Sequence, residues 1–233
     1  MSTYADWEDS SIEFSAGKFT VQSRTGYGGQ SFDMSSHPAN LVSWYGCVAY
    51  CNWRSEMEGL DSCYNFTGWS RYAPVRNGYR LPTEAEWERA AAWDGDRHWR
   101  YGFSSDTISA ARANYSLEFS LNPLGLTTDP KTSPVGWFNG VNVSPNGNVQ
   151  TQDSRSPVGA YDMSGNLEEW CHDWYSWGYY ATSPGSNPEG GAFPHTRVVR
   201  GGAYYSGQKA TRAAYREGRQ ENYGYGLRVA RTP

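Results

Sequence analysis

The chain of 233 residues carries four thiols, at Cys47, Cys51, Cys63 and Cys171, and four imidazoles, at His37, His98, His172 and His195. Thiolates are the soft nucleophiles and soft metal ligands of proteins. Cys47 and Cys51 stand four apart, the spacing of one helix face, and read as small buried hydrophobes and not as a bridge. No His-x-x-His pair occurs, so a transition-metal site would need long-range assembly. Hard-cation chemistry has a better candidate. Asp162-Met163-Ser164-Gly165-Asn166, followed by Glu168 and Glu169, is an oxygen-rich glycine turn, and calcium takes about six to eight such oxygens. The same residues also suit an Asx turn at Asp162 with an arginine pairing Glu169.

The last stretch, Arg197 to Pro233, reads RVVRGGAYYSGQKATRAAYREGRQENYGYGLRVARTP and contains no cysteine. Its ends are Arg/Gly blocks, and its middle is Tyr, Ser, Gly and scattered charge. Tyrosine supplies large, stiff, amphipathic contact area while Ser, Gly and Asn supply adaptable hydrogen bonding, so this is the composition of a recognition surface. Aromatics also favour strands, and the same tyrosines would serve as alternate core residues.

Two helices must position these segments. In LVSWYGCVAYCNWRSEMEG, Ser43 is a candidate N-cap, Trp44, Cys47, Val48 and Cys51 form one apolar stripe, and Gly59 is the stop, with Asn52, Arg54, Glu56 and Glu58 on the other face. In YRLPTEAEWERAAAW, Thr83 and Glu86 form a capping box and the alanines favour a helix over Glu84 to Ala92. From Trp93 to Asn166 the chain is turn-rich.

Composition narrows the functions. A net charge of -4 argues against nucleic-acid backbone binding. Lys occurs only at Lys18, Lys131 and Lys209, so Arg supplies most of the 20 cationic side chains, the residue suited to planar, bidentate, partly buried ion pairs. With 11 Trp, 26 Gly, 12 Pro and a mean hydropathy of -0.75, an aromatic core joined by many turns is expected. No apolar run reaches the ~18 residues of a membrane helix, and no signal peptide is visible at the start.

Three segments, YRLPTEAEWERAA, VGAYDMSGNLEEWCHDWY and RVVRGG with GLRVAR, resemble the formylglycine-generating-enzyme (sulfatase-modifying-factor) domain family from about Pro38 onward. The resemblance implies one α+β domain over residues 1–233 with a C-type-lectin-like fold: a small twisted antiparallel sheet, two helices and high loop content. It implies calcium, with side-chain oxygens from Asp162 and Glu169 and backbone carbonyls from Gly165 and Leu167; a second cation loop would begin at Asn114, with Asp129 as a candidate acid. The family's oxidation of a substrate cysteine uses cysteines shortly after the RGG, where this chain has Ala203, Tyr204, Tyr205, Ser206, Gly207 and Gln208, so no catalytic residue, copper or iron is expected.

The branch it looks most like is the variable protein of a diversity-generating retroelement, whose adenine-containing codons are rewritten in a C-terminal segment. Carried over, residues 197–233 are the variable segment. Arg200, Gly201, Gly202, Arg212, Arg216, Gly226 and Arg228 are frame, the arginines pairing carboxylates such as Glu168, Asp173 or Glu84. Tyr204, Tyr205, Ser206, Gly207, Gln208, Lys209, Thr211, Tyr215, Glu217, Gly218, Arg219, Glu221, Asn222, Tyr223 and Tyr225 are ligand-facing. The expected function is non-catalytic binding of a surface ligand, with a virion or cell-surface location favoured and no oligomeric state set. The alternatives are an undiversified accessory domain of the family or an oxidoreductase of it.

Overall fold

The computed structural model describes residues 12–15, 18–25, 31–116, 131–144, 147–192 and 195–232. Its strands are β1 (Ile12–Ser15), β2 (Lys18–Val21), β3 (Ser23–Thr25), β4 (Ser31–Asp33), β5 (Tyr79–Arg80), β6 (Glu169–Trp174), β7 (Arg197–Arg200), β8 (Arg216–Arg219), β9 (Gly226–Leu227) and β10 (Ala230–Arg231). The helices are α1 (Trp44–Met57) and α2 (Glu84–Ala92). Asp129, the acid expected for a second cation loop, lies outside the described residues.

Both helices begin where side-chain chemistry places them. Ser43 Oγ accepts from the Gly46 N–H, and past the end of α1 Gly59 takes a φ of +69°, the left-handed conformation that glycine adopts without strain. In α2, Thr83 Oγ1 accepts from the Glu86 N–H at 3.2 Å while Glu86 Oε2 accepts from the Thr83 N–H at 2.8 Å, a complete capping box. Trp44, Cys47, Val48 and Cys51 are buried against Tyr64, Leu81, Trp170 and Val199. Asn52, expected on the solvent face of α1, is buried instead. Its amide donates to the Tyr64 carbonyl and accepts from the Tyr64 N–H, which satisfies it in the core.

The main sheet has the order β8-β7-β6-β9. It is antiparallel as expected through β8, β7 and β6, but β9 runs parallel to β6, so the sheet is mixed. The reason is the route of the chain. After β8, which already runs the same way as β6, it bridges Tyr225 to Val42 at the start of α1 and crosses to the opposite edge of the sheet, so that it meets Glu169 and Trp170 still running in that direction.

β7 is buried along its whole length although two of its four residues are arginines. Arg200 pairs with Glu84 at 3.2 Å and with the partly exposed Glu88 of α2, and donates to the Tyr215 carbonyl at 3.0 Å, while its buried Nε has no hydrogen-bond partner among the described residues. The Glu84 carboxylate also receives Arg216 from β8 through two bonds, of 2.6 and 2.5 Å. Arg200 and Glu84 both have fully buried side chains. A charge so placed is tolerable only when paired and hydrogen-bonded. Asp173 supports the same corner by accepting the Glu84 N–H at 2.8 Å, the first free donor of α2.

Replacing Glu84 by Gln should therefore destabilise the protein by ~3–5 kcal/mol, because the buried Arg200 and the partly buried Arg216 lose their shared charged partner; urea unfolding measures it. Burial, with the nearby Glu84 carboxylate adding to it, raises the Asp173 carboxyl from its ordinary 3.8 to about 7. The folded state then holds this proton more tightly than the unfolded chain. Stability contributed by Asp173 is present at low pH and is lost as pH rises through the window from about 4 to about 7. An Asp173→Asn variant keeps the acceptor and should gain on the natural protein as pH rises across that window, as thermal midpoints in a pH series would reveal. An offset that does not change with pH would refute the assignment.

Candidate ligand-binding surface

The tail turns sharply after β7. Gly201 and Gly202 have φ values of +93° and +69°, and a Cβ on Gly202 would meet the Ala210 carbonyl oxygen at 2.8 Å. Only glycine fits there. The turn delivers Tyr204, whose N–H donates to the Asn166 carbonyl, and Tyr205, half-exposed and edge-on to Tyr204 at 4.9 Å between ring centroids. The Tyr205 hydroxyl donates to Glu168 Oε2 at 3.3 Å.

Two further tail segments reach the same acid. From β8, Glu217 and Arg219 pair at 2.8 Å. The Arg219 guanidinium lies 5.8 Å from the centroid of the Tyr225 ring, and Tyr225 packs edge-on to buried Trp170 at 5.0 Å. Glu168 is buried, and burial pushes its carboxyl up, opposed by the Arg219 charge. Burial and the neighbouring Glu168 in turn raise the Tyr205 hydroxyl, which stays a neutral donor. Tyr215 feels both Glu217 and Glu168. The result is an aromatic surface with one buried acid and one guanidinium, able to hydrogen-bond and stack, with no nucleophile in it.

Five expected residues thus gather around Glu168, Tyr205, Tyr215, Glu217, Arg219 and Tyr225, with Tyr204 packed edge-on against Tyr205. Gly207, Gln208 and Lys209 form an exposed edge, and Asn222 and Tyr223 an exposed turn. Five expectations are corrected. Thr211 is completely buried, its hydroxyl donating to the Gln208 carbonyl. Ser206 is buried with its hydroxyl accepting from the Ala203 N–H, which closes the loop. Glu221 serves the frame, accepting from Tyr45 at 2.6 Å and from Arg197 at 3.0 Å. Gly218 cannot present a larger side chain without displacement, since a Cβ there would lie 2.6 Å from Thr196 Oγ1. Glu168, expected as a partner for a frame arginine, is the floor of the surface. The signal was present in the Glu168-Glu169 pair, because neighbours along an extended chain face opposite ways.

Glu169 faces the other side. Its oxygens receive Arg228 at 2.7 and 2.9 Å and the Trp87 indole N–H at 2.7 Å. Asp162 accepts from the Gly136 N–H at 2.8 Å, and burial raises its carboxyl to about 6. The cation beside these two acids is Arg228 itself. As arranged, Asp162, Gly165, Leu167 and Glu169 do not fit a calcium ion, which would have to displace a bidentate guanidinium. Among the described residues no group of three or more His, Cys, Asp or Glu could hold a metal ion.

Arg200, Arg216 and Arg228 pair carboxylates as the sequence implies, through Glu84, Glu88 and Glu169. Arg212 does not: its Nε donates to the Lys209 carbonyl. All four cysteines are free and buried, and burial pushes the Cys47 and Cys171 thiols far up, which makes them inert.

Residues 4–233 match the Sulfatase-modifying factor enzyme 1-like domain. The chain belongs to this family. Relatives in it include the serine/threonine-protein kinase pkn1 of Chlamydia pneumoniae, 31% identical over 228 residues, covering 96% of this chain and 27% of that protein. The formylglycine-generating enzyme of Streptomyces coelicolor is 31% identical over 173 residues, covering 72% of this chain and 42% of the enzyme. The chain thus spans about a quarter of the kinases' length. Among solved structures, Treponema denticola variable protein 1 superposes with a TM-score of 0.60 at 24% identity over 85% of this chain and 72% of that one. The shared fold is the α+β fold of the sulfatase-modifying-factor domain.

Because Arg228 occupies the place a cation would take, adding calcium to the purified protein should leave its thermal midpoint unchanged. A rise of several degrees that a chelator reverses would show a calcium site by ligand linkage.

Proposed function

We propose that this member of the sulfatase-modifying-factor family is a non-catalytic binding domain whose contact surface is the tail, built in the manner of a retroelement variable protein. The observation that carries the reading is the convergence of Tyr205, Tyr225 and Arg219, from separate stretches of the tail, on the buried carboxylate of Glu168, with Tyr204 edge-on to Tyr205. Rigid tyrosines beside an arginine are the side chains that dominate binding energy at protein interfaces. The chemistry of the related formylglycine-generating enzymes has no counterpart at this surface, where no thiol is found after Cys171. The partner is a surface ligand, met at a virion or a cell surface. Likeness to a variable protein at 24% identity supports the scaffold, and the tyrosine surface supports the role.

Sequencing the locus from many isolates tests it. Expected are differences at adenine-derived codons concentrated on Tyr204, Tyr205, Tyr215, Tyr223 and Tyr225, with a near-identical template repeat nearby, while Thr211 stays fixed by its burial and Glu221 by its bonds to Tyr45 and Arg197. Uniform tails would remove diversification and leave the plain accessory domain of the family.

A further inference from the structure

A second recess lies beside the tyrosine surface and shares only Tyr215 with it. It encloses about 670 Å3, within the ~300–1,000 Å3 range of small-ligand sites. Four of its lining residues are arginines, Arg97, Arg100, Arg212 and Arg216, in a chain whose net charge is negative.

Two of the four are already committed. Arg216 is held by Glu84, and Arg97 pairs with Asp106 at 2.5 Å while lying over the Trp99 ring. Asp106 is the acid in the lining, and it also accepts the Arg100 backbone N–H at 3.1 Å. Arg100 and Arg212 make no ion pair with any described carboxylate. The Ala213 N–H donates to the Arg100 carbonyl at 2.9 Å, which fixes the two segments side by side. At the recess stands Trp177, 89% exposed, an indole with almost no cover from the protein.

We propose that this recess is a binding site for a small ring-bearing oxyanion, a phosphate ester or a carboxylate, gripped by Arg100 and Arg212 with its ring against Trp177. Guanidinium forks suit such oxygens because both carboxylates and phosphates accept two parallel N–H bonds. Arg97 and Arg216, neutralised by Asp106 and Glu84, shape the walls. Arg100 and Trp177 lie outside the tail and Arg212 belongs to its frame, so the proposed contacts do not use the display positions, of which Tyr215 lines the recess.

Calorimetric titration of the full chain at low ionic strength with phenyl phosphate, and separately with phthalate, tests the assignment. The natural protein should bind one equivalent of at least one probe. Saturation by phenyl phosphate alone assigns phosphate esters, and by phthalate alone assigns carboxylates. The double variant Arg100→Gln, Arg212→Gln should bind at least about tenfold more weakly, since charge-assisted bonds are lost, with its thermal midpoint only slightly lowered, because it loses the Arg212 Nε bond to the Lys209 carbonyl but no ion pair with a described carboxylate. Trp177→Ala should weaken the ring-bearing probe and leave inorganic phosphate binding unaltered. Absence of binding by both probes, or equal binding by the natural protein and the double variant, would overturn the proposal.

Discussion

One fully buried carboxylate, Glu84, joins the helix layer to the sheet. It sits at the first turn of α2, takes Arg216 through two hydrogen bonds and Arg200 as an ion pair at 3.2 Å, and lies where water cannot screen it. Buried charge of this kind contributes little net stability compared with an apolar replacement, yet it penalises any arrangement in which a partner is missing. That asymmetry makes it a specificity device. It sets the order of β7 and β8 against α2, and everything the tail displays is measured from those two strands.

The tail therefore has two populations of side chains within a short length of chain. Arg197 shows the frame clearly: its guanidinium lies 3.8 Å from the Trp44 ring centroid and 3.3 Å from that of Trp174, while Nε holds Glu221. Stacking on two indoles and pairing one acid leaves it no freedom. Tyr205 shows the other population, half in solvent, with one weak bond to Glu168. Substitution at Tyr205 costs little of the fold, whereas substitution at Arg197 exposes two indoles and orphans an acid.

What could be read from the sequence was local. Ser43, Thr83 and Glu86 act within one helical turn, so the caps of α1 and α2 were legible, and the buried thiols followed from the spacing of Cys47 and Cys51. The arginine frame was legible in kind, because an Arg-rich acidic chain with few lysines implies internal ion pairs, and the pairing of Arg216 with Glu84 was among those anticipated. Long-range choices were not. Nothing in Gly226-Leu227 states that it will lie parallel to Glu169-Trp170, nor that Arg228 will fill the place beside Asp162 and Glu169. Ser206 and Thr211 read as polar surface because their composition is that of a loop, and only the tightness of the Gly201-Gly202 turn puts them inside. The gathering around Glu168 depends on the extended chain entering β6 placing Glu168 and Glu169 on opposite sides, which needs the strand and its register.

That alternation also governs what kind of change the tail can absorb. Arg197 lies opposite Arg219 and Arg200 opposite Arg216 across β7 and β8, so each step along β8 alternates between the Glu84 side and the Glu168 side. Loss or gain of one residue between Gly202 and Arg216 that shifted this pairing would carry Arg216 away from Glu84 and turn a display residue inward. Length, far more than letter, is the conserved quantity this architecture demands of the segment between its glycine turn and its second strand.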